Sequence, residues 1–354
     1  MKCKVTNNQL DPFMSFGKMP IANGFIEEKN FSKEFFFNME VGFNQDLSLF
    51  QLNDHPEPNK MFNKDYPFFT GSSEYMKSHF KDYSKFVEKY LKSNPKIIEI
   101  GSNDGTFLKN FDLQNCKIMG IEPSKSVADV AIKNNIPTLN DFFNIKNVKN
   151  LKEFLGQTDL ICASNVICHI PDLKDLIGAV DLLLKKDGTF VFEEPYLGSM
   201  FEKVSYDQIY DEHIYMFSAT SVSKIFNLFG FYLVDAIPQK THGGSMRYVL
   251  RRKNEKNNNL EKILKYEDKN KINKIESCLK FKRNCEISRD NIIKKIVSFK
   301  NSGKSICGYA ATSKSTTILN YCKIGTNYID YISDTTKEKI GKYSPGTHIP
   351  IMSM

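Results

Sequence analysis

Long apolar runs are missing from this chain of 354 residues. The longest ones, such as residues 97–100 and 189–192, fall far short of the ~20 residues that a membrane-spanning helix needs. Residues 1–11 are too polar for a secretory signal peptide. These absences argue against a membrane protein, and we expect the protein to be cytoplasmic.

Paired cysteines and nucleic-acid motifs are also missing. The eight cysteines are scattered along the chain, which indicates reduced thiols rather than a disulfide framework. The net charge of +8 comes from lysines that are spread throughout and interleaved with acidic residues. We therefore predict a solvated basic surface and no nucleic-acid partner. A modest positive field would still attract anionic substrates such as nucleotides.

What the chain does contain indicates a folded α/β protein. Its composition is 41% apolar and 12% aromatic, and its length predicts two or three domains. Residues 1–73 combine many turn residues with short apolar clusters, which is typical of a small, irregular, mostly β module. We assign residues 74–235 to a central domain and residues 236–354 to a second, Rossmann-like domain.

The central domain alternates short apolar strands with helical patterns. Such alternation predicts a mostly parallel, doubly wound sheet. The predicted strands are 96–100, 117–121, 158–163, 188–193, 231–236 and 246–251, and the predicted helices are 74–92, one from 104, 124–134, 172–185 and 219–229. Residues 196–217 are predicted to be a polar loop. Two charged helices are predicted within 253–301, followed by strand 305–309, helix 315–322 and strand 328–333.

A glycine-rich loop follows the first strand of this sheet. Gly101 and Gly105 lie where the strand ends, and Glu122 closes the second strand, where a carboxylate can bind both ribose hydroxyls. The loop lacks the glycine spacing of dinucleotide sites, and the acid Glu99 suits a sulfonium-bearing amino acid better than a phosphate. The loop therefore favours S-adenosylmethionine, although a plain tight turn, with Glu99 paired to a lysine, is the alternative.

Motifs along nearly the whole chain resemble one family, the three-domain nucleotide-sugar C-methyltransferases, which methylate a ring carbon beside the keto group of a deoxysugar. The resembling segments are 19–23, 65–69 with 72–73, 99–105, 165–171, 194–196, 210–213, 242–247, 308–315 and 345–350. The resemblance implies a base that removes the proton α to the ketone, and an enolate that attacks the sulfonium methyl group.

Histidine suits the base because its pKa lies near working pH. We predict His213 as the base, with Glu212 orienting it and Tyr210 beside it, and His169 as a donor that stabilises the enolate. The alternatives are a surface histidine packed beside Tyr215 and a histidine that caps the next helix.

The other predicted contacts fall into two groups. The cofactor is predicted to contact Glu99, Gly101, Asn103, Gly105, Glu122 and Asn165. The sugar nucleotide is predicted to contact Tyr66, Phe68, Tyr196, His242, Gly243, Arg247 and Lys314, of which Lys314 and the loop from His242 would bind the diphosphate. Aromatic core packing and a plain glycine turn at 242–245 are the competing interpretations.

The chain departs from the family at two places. The family's N-terminal module holds zinc with two Cys-x-x-Cys pairs, whereas the matching positions here are Cys3, Thr6, Asn44 and Leu47, so we predict neither zinc nor another metal. The relatives also continue past 345–350, so we expect a shortened C-terminal domain with an exposed sheet edge.

Together these features predict a methyltransferase that uses S-adenosylmethionine and a nucleotide-diphosphate sugar, acting as a monomer or homodimer. A sugar O-methyltransferase and an inactive nucleotide-sugar-binding protein are the two alternatives. Only C-methylation requires proton exchange at a ring carbon, which separates the first alternative from the main hypothesis. Binding of the sugar nucleotide without binding of the cofactor would favour the second.

Overall fold

The computed structural model describes residues 1–62 and 69–354. Its strands are β1 (Asp11–Pro20), β2 (Phe36–Asn44), β3 (Leu49–Leu52), β4 (Lys96–Ile100), β5 (Lys117–Ile121), β6 (Thr138–Leu139), β7 (Thr158–Ser164), β8 (Leu184–Pro195), β9 (Tyr215–Met216), β10 (Tyr232–Gln239), β11 (Ser245–Arg251), β12 (Gly308–Tyr309), β13 (Ile332–Asp334) and β14 (Ile351–Ser353). Its α-helices are α1 (Pro58–Met61), α2 (Glu74–Glu88), α3 (Lys125–Lys133), α4 (Ile145–Val148), α5 (Leu173–Leu183), α6 (Leu197–Lys203), α7 (Ala219–Asn227), α8 (Asn258–Lys269), α9 (Ile275–Asn301) and α10 (Ser313–Tyr321).

The central sheet has seven strands in the order β10-β11-β8-β7-β4-β5-β6. The five strands from β8 to β6 are parallel, whereas β11 runs antiparallel to both β8 and β10. Strands such as β4 and β7 are buried along most of their length because helices cover both faces of a parallel sheet. The predicted α/β fold with a mostly parallel, doubly wound sheet is confirmed.

The N-terminal strands form a separate antiparallel sheet in the order β1-β2-β3-β9. Its last strand, β9, lies between β8 and β10 of the central sheet along the chain, and its Met216 pairs with Phe50. The aromatic residues Phe13, Phe43 and Phe50 lie in the core beneath this sheet. The N-terminal module is therefore completed by a strand from a distant part of the chain.

The C-terminal residues repeat the strand-loop-helix arrangement on a smaller scale. Strands β12, β13 and β14 are parallel, and α10 begins directly after β12. Thr312 caps α10 by accepting a hydrogen bond from the Ser315 amide, with the reciprocal bond in place. The amino end of α10 and the carboxyl ends of the central strands line the same cavity.

Two predicted elements are wrong. No α-helix starts at residue 104; the chain makes turns and a short 3₁₀ helix at Leu108–Asn110. The Asp104 carboxylate explains this, since it accepts hydrogen bonds from the Thr106 hydroxyl and from the Gly71 amide and so holds the turn in place. Residues 196–217 are not a simple loop either, because they contain α6 and β9.

The charged stretch 253–301 forms α8 and α9, as predicted. Helix α9 is amphipathic, and it buries Cys278, Phe281 and Cys285 against the N-terminal module while its charged side chains face solvent. Across residues 1–62 and 69–354, no helix combines the length and the apolar character that crossing a membrane requires.

Candidate functional site

A cavity of about 1300 Å³ lies at the carboxyl ends of the central parallel strands. This is the edge at which open α/β sheets bind ligands. Its walls come from the glycine-rich loop, from the loops after β7 and β8, and from the start of α10. The predicted site residues that line it are Gly101, Asn103, Glu122, Asn165, His169, Tyr210, Glu212, His213, His242 and Lys314.

The glycines of the loop after β4 are required by the packing of the loop itself. Gly101 has φ +65°, and a Cβ there would lie 2.3 Å from Cγ2 of Val166. Gly105 has φ +77°, and a Cβ there would lie 2.9 Å from Cγ1 of Ile136. Both positions therefore exclude other residues. Gly101 borders the cavity, whereas Gly105 shapes the loop without lining it.

Glu122 stands at the end of β5 with its carboxylate held in place by the backbone. Its Oε2 accepts a hydrogen bond from the Asn103 amide at 3.0 Å, and its Oε1 accepts one from the Ser124 amide at 2.7 Å. Burial raises the pKa of Glu122, and these two hydrogen bonds oppose the rise. Each oxygen keeps a lone pair, so the fixed carboxylate suits two neighbouring ribose hydroxyls.

Glu99 lies below this loop and does not line the cavity. Its Oε2 is buried and lacks a hydrogen-bond partner among the described residues. Burial raises the pKa of Glu99 well above its usual value, and the nearby carboxylates of Asp104 and Glu122 raise it further. Such a cluster of acids favours a ligand that carries positive charge. The residues present thus fit S-adenosylmethionine, which would supply the methyl group.

His213 is fixed in one tautomer. Its Nδ1 lies 2.7 Å from the main-chain oxygen of Gln208, and because a carbonyl only accepts hydrogen bonds, Nδ1 carries the proton. Nε2 is then an acceptor, and the Tyr210 hydroxyl donates to it at 2.7 Å. Burial lowers the pKa of His213 well below its usual value. The imidazole is therefore neutral and able to take a proton.

Glu212 does not orient the imidazole, contrary to the prediction. The Gln208 carbonyl has that role, while Oε1 of Glu212 accepts a hydrogen bond from Nδ2 of Asn23 at 2.7 Å. Asp211 beside it accepts a hydrogen bond from the Ala22 amide at 2.9 Å. The two acids therefore tie the loop before His213 to the N-terminal module.

His169 stacks between two rings at the cavity wall. Its ring centroid lies 5.3 Å from that of His213 and 5.4 Å from that of Phe62, and both pairs are nearly parallel. Burial, followed by the neighbouring His242, lowers the pKa of His169 to about 3. Because its Nε2 is buried without a partner among the described residues, a neutral imidazole is available here for a ligand.

Sequence reasoning missed the residue that holds the His169 loop. Oε1 of Glu194 accepts hydrogen bonds from three successive amides, Val166, Ile167 and Cys168, at 3.0, 2.6 and 3.2 Å. Glu194 is fully buried at the end of β8. The signal in the sequence was the acidic pair 193–194 that ends an otherwise apolar strand, since buried carboxylates are retained only where they have partners.

Asn165 and His242 meet across the cavity. Nδ2 of Asn165 lies 3.1 Å from Nε2 of His242. Both residues have positive φ, 55° and 49° respectively, which non-glycine residues adopt at a cost. This contact directs the Asn165 carbonyl oxygen, which is buried and has no hydrogen-bond partner among the described residues. Asn165 thus offers a directed acceptor next to the cofactor loop.

Three predicted substrate contacts lie away from the cavity. The Arg247 guanidinium is buried and pairs with Oε1 of Glu193 at 2.6 Å, directly opposite it across β8 and β11. The Tyr196 hydroxyl donates to Oε1 of Glu267 at 3.0 Å. Gly243 accepts a hydrogen bond from Nζ of Lys203 through its main-chain oxygen. The cavity wall includes none of the three. Two further predicted contacts, Tyr66 and Phe68, lie outside the described residues.

The opposite end of the cavity is basic. Thr312, Ser313 and Lys314 at the start of α10 line it together with Lys337, Glu338 and Lys339, so this part carries three lysines and one acidic residue. Burial lowers the pKa of Lys314, and the charge of Asp207 opposes this effect. Lys314 makes no hydrogen bond or ion pair within the part of the chain that the structure describes. A lysine beside a helix amino terminus is an arrangement that attracts anions.

The N-terminal positions that would bind zinc do not form a zinc site. Oδ1 of Asn44 accepts a hydrogen bond from the Leu47 amide at 2.8 Å, and Leu47 packs in the hydrophobic core with Cys3. With Thr6 as the fourth position, the set offers one thiol, whereas structural zinc sites use four cysteine or histidine ligands. The donor set does not fit the metal.

The strand order of the central sheet, with one antiparallel strand beside β8, and the acidic cofactor loop define a class I S-adenosylmethionine-dependent methyltransferase. Comparisons with known proteins agree with this class. Three family models match successive parts of the chain: "Putative zinc binding domain" over residues 3–62, "Methyltransferase domain" over 73–236, and "C-methyltransferase C-terminal domain" over 240–354.

A curated relative has the same arrangement over most of the chain. C-methyltransferase NovU from Streptomyces niveus is 28% identical over 346 residues, which span 96% of this chain and 82% of the relative. Along nearly its whole length, the chain is similar to the three-domain, S-adenosylmethionine-dependent C-methyltransferases.

Solved structures resemble only part of the chain. PH0226 protein from Pyrococcus horikoshii OT3 matches 56% of this chain and 100% of its own, with a TM-score of 0.42 and 15% identity. Magnesium protoporphyrin IX methyltransferase from Synechocystis PCC 6803 matches 50% and 83%, with a TM-score of 0.38 and 12% identity. The fold assignment rests on the strand order seen here rather than on these distant matches.

Proposed function

We propose that this C-methyltransferase acts on a nucleotide-linked keto-deoxysugar and methylates the carbon beside the keto group. The observation that carries the proposal is the position of the Tyr210 and His213 pair. It lines the same cavity as the glycine-rich loop and Lys314. A sugar between these ends would present its ring to the base while its diphosphate meets the lysine.

The size of the cavity supports two ligands. About 1300 Å³ exceeds the ~300 to 1000 Å³ typical of pockets that hold one small ligand. The acidic end at Glu122 suits the cationic cofactor, and the basic end at Lys314 suits a diphosphate. Opposite charges at the two ends would orient both ligands and keep each from binding at the wrong end.

The proposed chemistry uses this chain's own residues in one proton transfer. His213 Nε2 takes the proton from the carbon α to the ketone, directly or through the Tyr210 hydroxyl, and the electron pair of that C–H bond forms an enolate. The lowered pKa of His213 keeps its imidazole neutral before the transfer. His169 stacks beside it and can donate a hydrogen bond to the enolate oxygen.

Solvent exchange tests this proposal. A nucleotide-linked 4-keto-deoxysugar is incubated with the full chain and S-adenosylhomocysteine in D₂O, and NMR follows loss of the ring proton beside the ketone. We expect exchange by the wild type and a decrease of ~10² to 10⁴ in His213→Asn, the usual contribution of a general base. His55→Asn, which changes a histidine away from the cavity, is the matched control and should exchange normally.

Calorimetric titration with S-adenosylmethionine confirms that each variant is folded and binds the cofactor. A wild type that binds the cofactor and the sugar nucleotide but leaves the ring proton in place would contradict C-methylation of this carbon. Methyl transfer to the sugar without exchange would indicate an O-methyltransferase instead. Binding of the sugar nucleotide without the cofactor would indicate an inactive binding protein.

A further inference from the structure

Cys168, His169 and His213 form a cluster of metal-ligand groups at the cavity wall. One ligand atom from each residue lies within 4.8 Å of the other two. Cys168 and His169 belong to the 3₁₀ turn Ile167–His169, and His213 comes from the loop after α6. The Ile214 amide donates to the Cys168 carbonyl at 3.0 Å and fastens the two segments together. The cluster is therefore built into the fold rather than assembled from mobile surface groups.

The chemistry of the cluster suits a thiophilic cation. Three protein ligands drawn from thiol and imidazole groups match the number and the type of ligand in catalytic zinc sites, which keep a fourth position open for water. The carboxylates of the cofactor end do not belong to the cluster, so calcium and magnesium, which prefer oxygen, are disfavoured.

An independent observation also points to a ligand at this place. Nε2 of His169 is buried and has no hydrogen-bond partner within the described residues. Leaving such a group unsatisfied costs free energy, which a bound ligand would recover. The rings of Phe62 and His213 stack on either side of His169 and restrict its imidazole to this position.

We propose that Cys168, His169 and His213 bind a divalent thiophilic cation, with Zn²⁺ as the natural candidate, at a site separate from the N-terminal module. Zinc-sulfur and zinc-nitrogen bonds of about 2.3 and 2.0 Å place ligand atoms roughly 3.5 Å apart. The ligand atoms, which now lie within 4.8 Å of one another, must therefore approach by up to about 1.3 Å, which side-chain rotations can provide.

Metal binding releases one proton. The Cys168 S–H bond breaks, a sulfur-metal bond forms, and the proton leaves to solvent. The neutral imidazoles donate lone pairs without losing a proton. If the metal binds His213 through Nε2, it replaces the hydrogen bond from Tyr210 and blocks the proposed proton acceptor. Zn²⁺ should then inhibit methyl transfer, and this last consequence alone rests on the proposed function.

Cobalt spectroscopy tests the site without any sugar substrate. The metal-free full chain is titrated with Co²⁺, and we expect one equivalent to produce a thiolate-to-cobalt charge-transfer band together with visible bands of tetrahedral cobalt. Zn²⁺ should displace the cobalt, since thiolate ligands select zinc and imidazole ligands suit it. Cys168→Ser should abolish the charge-transfer band.

Two cysteine variants and one histidine variant complete the design. Cys307→Ser changes an exposed thiol and should leave the spectrum unchanged. Cys3→Ser reports on the N-terminal module, and loss of the band there instead would overturn the proposal. His169→Asn should weaken Co²⁺ binding by at least the ~10- to 100-fold that loss of a supporting group costs a metal site.

Absence of a charge-transfer band in the wild type, or its persistence in Cys168→Ser, would also overturn the proposal. Binding of S-adenosylmethionine shows that each variant is folded. If Cys168→Ser does not fold, the His169→Asn titration decides the question. Absence of D₂O exchange would contradict the proposed function but would not affect the cobalt result. The two proposals are therefore tested independently.

Discussion

Replacing Glu194 with glutamine should make the stability of the protein less dependent on pH. Glu194 is fully buried, and its Oε1 accepts three main-chain hydrogen bonds from residues 166–168. Burial raises its pKa from an ordinary value of 4.5 to about 7, although the hydrogen bonds act in the opposite direction. Glutamine keeps the accepting oxygen but carries no charge at any pH.

The direction in which stability changes with pH follows from proton linkage. Between about pH 4.5 and 7 the folded protein holds a proton on Glu194 that the unfolded chain has released. This group's contribution therefore falls as pH rises through that window, and it is constant above the folded pKa. The difference between the folded and the unfolded pKa of Glu194 corresponds to on the order of 3 kcal/mol of unfolding free energy.

Urea unfolding followed by circular dichroism at about pH 5 and about pH 8 measures this effect. The difference between variant and wild type cancels contributions from other buried acids, such as Asp211. We expect Glu194→Gln to gain on the order of 3 kcal/mol relative to the wild type from low to high pH. A difference that stays flat, or that favours the wild type at high pH, would refute the argument.

Glu194→Ala separates charge from hydrogen bonding. It leaves three buried amides without an acceptor, each worth about 1 to 3 kcal/mol when unsatisfied, so it should lose stability at both pH values. The same variant should lower kcat more than it raises the KM for S-adenosylmethionine, because the amides that it releases position His169. Equal stability of the alanine and glutamine variants would contradict this role.

Two further predictions concern residues whose roles the structure explains. Arg247→Met removes one of the two partners of the buried Glu193 carboxylate and leaves His79 as the other. We therefore expect a loss in unfolding free energy of at most the roughly 3 to 5 kcal/mol that breaking a buried ion pair costs. A rise in the KM for the sugar nucleotide at unchanged stability would instead support Arg247 as a substrate contact. Gly101→Ala combines positive φ with a Cβ 2.3 Å from Val166 and should lower the melting temperature, whereas Gly156→Ala has equally positive φ but open space and should cost less. Similar melting temperatures for the two glycine variants would show that packing at Val166 is not the cause.

The central sheet was predictable because its strands are apolar runs separated by helical patterns. Strands β4 and β5 have the predicted bounds, and the bounds of α3, α5 and α7 lie within two residues of the predicted ones. The strands of a parallel sheet are covered on both faces, so each appears in the sequence as an apolar run between helical patterns. The positions of Gly101 and Glu122 at strand ends follow from the same pattern, which is why both could be placed at the cavity from the sequence.

The errors lie where distant parts of the chain decide the local structure. Helix α6 and strand β9 were missed because their apolar residues pack against the N-terminal module, more than 140 positions earlier in the chain. Arg247 was assigned to the substrate because it belongs to the 242–247 motif, which resembles the family's. The strand register that places it opposite Glu193 could not be read from the sequence.

The hydrogen-bond partner that orients His213 could not be predicted from the sequence either. Glu212 adjoins His213 in the sequence, yet the main-chain oxygen of Gln208, five positions away, orients the imidazole. Neighbours along the chain point in different directions in a tight turn, so adjacency gave the wrong partner. Glu194 was overlooked for the reverse reason, since it holds a loop that precedes it by nearly thirty positions.

The shared sheet β1-β2-β3-β9 limits how this protein can be recombined with its relatives. A chimera that exchanges only the first 73 residues would pair a foreign β3 with the native β9, directly after His213. Asn23 and Ala22 add hydrogen bonds to the same loop. A chimera that exchanges the N-terminal module together with residues 205–218 keeps these contacts matched and should retain the geometry around His213.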